Sequence, residues 1–319
     1  MNVLKEMDLF IVSGFLGAGK TTLIKHLLAS SIQGVGKIAL IVNEVGSMGI
    51  DGTLLSGQNV DMIEITSGCI CCTLKSDFSR AIQEIRDRVS PDILVVEATG
   101  VAQPGDVLDV LYEPPANTFT RLRHLITVVD AEFFKAKDIF GPFYDNQIRC
   151  ADTILLNKID LVPSESLPDI QASLQEMNPK ATILSTQHCA IDPHYLLTLD
   201  SNHMKETVHE HHVGIYHDQD HPDEGGFQAF SFEEARPFDR ERLDEFLRSL
   251  PPNLFRLKGW ARFPDSNAVI NFTAGRYSIA PWDEPKKTAL AMVGYNCDEN
   301  DILNGLKGCL MEEPNGSKD

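Results

Sequence analysis

Apolar runs of strand length recur through the first two-thirds of the chain. They lie at residues 9–12, 38–42, 62–65, 93–96, 125–129, 153–156 and 182–184. Each is nearly continuous in Val, Ile and Leu, the pattern of a strand buried on both faces. Between them the spacing turns helical. At 22–28, Leu23, Leu27 and Leu28 share a face, and at 74–89 Leu74, Phe78, Ile82, Ile85 and Val89 form a longer one. This alternation predicts an α/β domain whose parallel sheet is covered by helices on both faces. The pattern stops near residue 200. Residues 201–226 are polar and hold six of the ten histidines (His203, His209, His211, His212, His217 and His221), ending in Gly225-Gly226. Such a stretch reads as a linker. Beyond it, strand-like runs at 227–232 and 268–272 and a helix at 240–250 begin a second block. The expected organisation is a domain over 1–200, a His-rich linker over 201–226, a smaller α+β domain over 227–313 and a tail over 314–319.

The turn between the first strand and the first helix carries the most specific chemistry. Residues 14–21 read Gly14-Phe15-Leu16-Gly17-Ala18-Gly19-Lys20-Thr21, a glycine followed after four residues by Gly-Lys-Thr. Glycines here let backbone N–H groups turn inward around phosphate oxygens, and the helix N-terminus adds positive charge. Lys20 is expected to reach the β- and γ-phosphates, and Thr21 to bind Mg²⁺ through its hydroxyl. Gly14, Gly17, Ala18, Gly19, Lys20, Thr21 and Thr22 form the expected phosphate site of a P-loop NTPase domain.

The strand at 153–156 runs into Asn157-Lys158-Ile159-Asp160. A carboxylate at Asp160 can accept hydrogen bonds from N1–H and the 2-amino group of guanine. Adenine would leave it unpaired, so GTP is expected over ATP. Asn157 and Lys158 join it as candidate nucleotide ligands; Ser185-Thr186-Gln187 is too generic to assign. The strand at 93–96 ends in Glu97-Ala98-Thr99-Gly100, where such folds carry an acidic residue and a γ-phosphate-sensing glycine. Glu97 is expected to hold Mg²⁺ through water or to polarise the attacking water. Asp51 reads either as a second outer-shell Mg²⁺ residue or as a turn residue. Val101 stands where a water-orienting glutamine could have followed Gly100, so slow intrinsic GTP turnover is expected.

Gly68-Cys69-Ile70-Cys71-Cys72 is the second cluster. Three thiols in four residues can converge on one metal, and the following helix N-terminus favours thiolates. Soft thiolates point first to Zn²⁺, with Co²⁺ and Ni²⁺ compatible. A redox dithiol at Cys69 and Cys72 and plain packing cysteines remain open alternatives. The linker histidines suit weak collection of the same ions, and equally suit a solvated linker. Cys150, Cys189, Cys297 and Cys309 read as packing residues, and His26 as structural.

Composition narrows the partners. Across 319 residues, 46 acidic side chains face 28 basic ones, a net charge of −18. Such a balance argues against nucleic acid. No apolar run approaches the roughly 20 residues of a membrane span, and the first eight residues lack a secretory pattern. Seven cysteines with three packed together do not form a secreted framework. A cytoplasmic protein is expected; a homo-oligomer is compatible with everything above.

These residues resemble the CobW-like P-loop GTPases, relatives of the nickel-insertion GTPases of urease and hydrogenase assembly. The resemblance rests on residues 14–22, Asn43-Glu44-Val45-Gly46, 68–72, 97–100 with Pro104, and 157–160. It extends through the linker to Arg256-Leu257-Lys258-Gly259. It implies GTP hydrolysis coupled to handling zinc or cobalt, and delivery to an apo-metalloprotein client. Members often carry an acidic residue after the glycine matching Gly46. Here it is Ser47, which leaves Glu44 as the acidic metal-ligand candidate of that loop. A regulatory GTPase with a fixed structural zinc, or a nucleotide-tuned metal buffer, would use the same residues.

Overall fold

The computed structural model describes residues 6–29, 36–45, 61–67, 73–98, 100, 104–137, 142–198, 227–283 and 287–311. Asp51, the Cys69, Cys71 and Cys72 cluster and the linker histidines lie outside the described residues, and Glu44 is described in its backbone alone. The chain divides into two compact units.

The first unit is built on seven strands: β1 (Met7–Gly14), β2 (Ile38–Val45), β3 (Asp61–Ser67), β4 (Ile93–Glu97), β5 (Thr120–Asp130), β6 (Thr153–Asn157) and β7 (Thr182–Ser185). Their order is β3-β2-β4-β1-β5-β6-β7, and every pairing is parallel. The helices are α1 (Lys20–Ala29), α2 (Thr73–Val89), α3 (Pro104–Tyr112), α4 (Pro142–Arg149), α5 (Leu167–Met177) and α6 (Pro193–Thr198). Leu23, Ile24 and Leu27 of α1 and Leu196 and Leu197 of α6 bury against Phe10, Val12, Leu40, Val95, Ile126 and Val128. Side chains alternate along a strand, so Thr127 points to the other face, where its Oγ1 donates to Gln147 O of α4 at 2.8 Å. The sheet is therefore covered on both faces, as its continuous apolar strands require.

All seven expected strands are present. β5 begins five residues before its apolar run because its start is held by polar pairing. Arg121 lies opposite Asp8 in register and gives Nη2 to Asp8 Oδ1 at 2.6 Å. The helix expected at 74–89 spans Thr73–Val89, with Phe78, Ile82 and Ile85 buried.

The second unit is an antiparallel sheet of β8 (Phe227–Glu234), β9 (Leu254–Arg262), β10 (Asn267–Thr273), β11 (Arg276–Trp282) and β12 (Thr288–Tyr295), in the order β11-β10-β9-β12-β8. Leu243 and Leu247 of α7 (Arg240–Ser249) and Ile302 and Leu306 of α8 (Glu299–Gly308) bury one face of it. Asp239 caps α7, its Oδ1 accepting from Glu241 N and Arg242 N at 3.0 Å each.

Candidate functional site

The loop from Gly14 to Gly19 leaves the C-terminal end of the central strand β1 and closes onto the first turn of α1. Gly14 (φ +132°) and Gly19 (φ +122°) hold backbone conformations that side chains rarely adopt. At Gly19 a Cβ would also press to 2.6 Å from Asn157 Nδ2 and 2.8 Å from Cys189 Sγ. Lys20 is buried, and its Nζ donates to Gly14 O at 2.8 Å and Phe15 O at 3.1 Å. The ammonium is thereby held over the mouth of its own loop. Thr21 gives its hydroxyl to Glu97 Oε1 at 2.9 Å, and Thr22 is exposed. Glu97 reaches Thr21 because β4 is the parallel neighbour of β1, with Val12 opposite Glu97. Gly100 closes the same corner: a Cβ there would stand 2.7 Å from Leu16 N.

Asn157 is a buried tether between three loops. Its Nδ2 donates to Ala18 O at 2.8 Å, while its Oδ1 accepts from Thr186 Oγ1 at 3.2 Å and Cys189 N at 2.9 Å. Lys158, in the left-handed region at φ 60°, gives Nζ to Gly17 O and to Asp130 Oδ2, both at 2.7 Å. Asp160 lies in the following 3-10 turn and is exposed. The structure thus gathers Gly14, Gly17, Ala18, Gly19, Lys20, Thr21, Glu97, Gly100, Asn157 and Lys158 at one end of the sheet. The oxygen pair Thr21 and Glu97 fits Mg²⁺, which takes hard oxygen ligands.

Residues 8–185 match the family described as CobW/HypB/UreG, nucleotide-binding domain. The chain belongs to that family. Residues 227–310 match the Cobalamin synthesis protein cobW C-terminal domain. Membership makes the first unit a P-loop GTPase domain. Zinc chaperone YeiR of Escherichia coli (strain K12) is 31% identical over 72% of this chain and 69% of its own length. Zinc chaperone CobW of Sinorhizobium sp is 28% identical over 91% of this chain and 93% of its own. The solved structure of Zn(II)-bound YjiA GTPase from E. coli aligns at 21% identity and a TM-score of 0.46, covering 96% of this chain and 100% of that one.

Within this CobW/HypB/UreG domain, several contributors have no motif signature. Asp130, 3% exposed at the end of β5, receives Lys158 and also caps its own turn through Glu132 N at 3.0 Å. Cys189 is buried against Gly19, its thiol pushed up to about 12 by burial, and its carbonyl lies 3.1 Å from His26 Nδ1. Both residues thus act in packing and support, as their sequence context suggested. Gln147 of α4 gives Nε2 to Gly100 O at 3.2 Å. The available signal for Gln147 was a lone amide within the apolar stripe of Phe143, Tyr144 and Ile148. Among the described residues no three His, Cys, Asp or Glu side chains gather as a metal site. Nor is any described helix long and apolar enough to cross a membrane.

Proposed function

We propose that the chain hydrolyses GTP and uses that cycle to load a transition metal, zinc foremost, onto an apo-metalloprotein client. One observation carries this reading: β1, β4, β2 and β3 are parallel neighbours, so Gly14, Glu97, Glu44 and Ser67 all lie at the C-terminal ends of adjacent strands, and Cys69, Cys71 and Cys72 follow Ser67 in the chain. Val12 pairs with Glu97, and Glu44 pairs with Thr66, three residues before Cys69. Ligands of open parallel sheets collect at those strand ends. The relatives named as zinc chaperones support zinc as the cargo.

In this reading the loop N–H groups and Lys20 hold the β- and γ-phosphates, and Lys20 exchanges its two loop carbonyls for phosphate oxygens. Thr21 and Glu97, with Asp51, hold Mg²⁺, which when bound would neutralise charge on those oxygens. Glu97 orients water, Gly100 faces the γ-phosphate, and Asp160 reads guanine. Thiolates of Cys69, Cys71 and Cys72, with Glu44, hold the metal.

Turnover assays test the nucleotide half. The unmodified protein is expected to hydrolyse GTP well ahead of ATP, Lys20→Ala to lose activity by at least about 100-fold, and Asp160→Asn to lose guanine preference. Equal use of ATP and GTP by the unmodified protein would overturn the reading.

A further inference from the structure

We infer that Gln147 is a positioning residue of the nucleotide site, anchoring Gly100, the glycine that faces a γ-phosphate, through the Gly100 carbonyl. The inference rests on the reading above that Gly100 faces that phosphate. Gln147 is 1% exposed, and its side chain crosses from α4 to Gly100 O at 3.2 Å. The origin of that side chain is itself fixed, because Gln147 O accepts from Thr127 Oγ1 at 2.8 Å, and Thr127 lies opposite Ser13 in the sheet. The same helix grips the phosphate loop: Phe15 packs against Phe143 and Tyr144, with ring centroids 5.8 and 6.1 Å apart. One short helix therefore touches both the P-loop and the glycine that follows β4.

The chemistry of an amide at this buried position supports the role. A buried amide is costly unless its hydrogen bonds are made, and an apolar side chain would suit the stripe of Phe143, Tyr144 and Ile148 better for packing alone. Glycine has the most backbone freedom to lose. A hydrogen bond to the Gly100 carbonyl restricts that freedom before the nucleotide arrives, so less of the γ-phosphate contact is lost to ordering. GDP has no group to meet Gly100. The bond from Gln147 should thus favour GTP over GDP without helping GDP.

The test uses Gln147→Met in the full chain, a substitution of similar volume that removes the donor, with Gln147→Asn as a second, milder variant if the first folds poorly. Titrations with GDP and with a non-hydrolysable GTP analogue are read beside kcat and KM for GTP and thermal unfolding. The expected result is an affinity loss of about five- to tenfold for the analogue, GDP affinity unchanged within about twofold, and a lower kcat for GTP. Equal losses for both nucleotides, or none for either while the unmodified protein still discriminates, would overturn the role of Gln147. Failure of the unmodified protein to distinguish the analogue from GDP would instead sink the Gly100 reading beneath it.

Discussion

His124 is 5% exposed on β5, bonded through Nε2 to Thr153 Oγ1 at 2.8 Å, and burial pushes its pKa down to about 4. Asp152 Oδ2, 3.9 Å from Nδ1, does not offset that burial. The folded state holds this imidazole neutral at pH values where the unfolded chain protonates it. Between about pH 6.5 and 4 the unfolded state binds the extra proton, so stability falls with acidification through that window and is fully present above it. A shift of this size corresponds to roughly 3 kcal/mol. Urea midpoints measured from pH 7.5 to 4 should therefore drop, and a His124→Gln variant should show a flatter profile. Parallel profiles for both proteins would remove His124 from the account. Neither His124 nor Gln147 belongs to any motif. Their roles depend on neighbours distant in sequence, Thr153 for one and Gly100 for the other.

At the scale of elements, the site consists of loops clamped to one another. Asn157 reads in sequence as a base-side residue of the Asn-Lys-x-Asp tetrad, yet its three hydrogen bonds go to Ala18, Thr186 and Cys189. It thereby joins the P-loop, the turn after β6 and the segment after β7. Replacing it with alanine leaves buried backbone groups without their partner, at a cost of roughly 1–3 kcal/mol. The expected outcome for Asn157→Ala is a lower unfolding midpoint and equal losses of affinity for GTP and ATP, with guanine preference retained. Asp160→Asn should do the reverse, changing preference with little effect on stability. A selective loss of GTP binding in Asn157→Ala would return the residue to base recognition.

For the whole molecule the controlling quantity is distance along the sheet. The Cys69–Cys71–Cys72 segment follows β3, an edge strand separated from β1 by β2 and β4. Three interstrand steps put the ends of β3 and β1 about 14 Å apart. At that separation two unit charges interact by about 0.3 kcal/mol in water and about 1 kcal/mol at an effective dielectric of 20. Charge alone therefore reaches only the low end of the 1–3 kcal/mol usual for linked sites, and the upper part of that range calls for a change of shape as well. Residues 46–60 follow β2, which lies beside both β3 and β4, and so join the two regions in the chain. Competition titrations against a chelating dye should give tighter metal binding with a non-hydrolysable GTP analogue than with GDP. Metal should shift the analogue-to-GDP preference by the same factor. Identical metal affinities in the two states would leave a GTPase that carries metal without controlling it. Serine at Cys69, Cys71 and Cys72 together should abolish the tight site, and deleting 203–221 should leave it intact.

The sequence by itself determined the parallel α/β architecture, because strands buried on both faces must be apolar throughout and the helices between them must show a 3.6-residue stripe. It likewise set the phosphate loop, where conformations at Gly14 and Gly19 admit little but glycine, and the Asn-Lys-x-Asp tetrad that follows β6, whereas the exposure of Asp160 came from the structure. These are local requirements, written in adjacent residues. Only the tertiary structure decided the strand order that puts Glu97 beside Thr21 and sends β3 to the edge. The same holds for Lys158 bonding to Asp130, Asn157 bonding to Ala18, and Gln147 reaching Gly100. Those pairs are joined by hydrogen bonds across 28 to 139 residues of chain. A side chain's partner at such separations is set by which strands become neighbours, a property of the packed sheet that no local pattern carries.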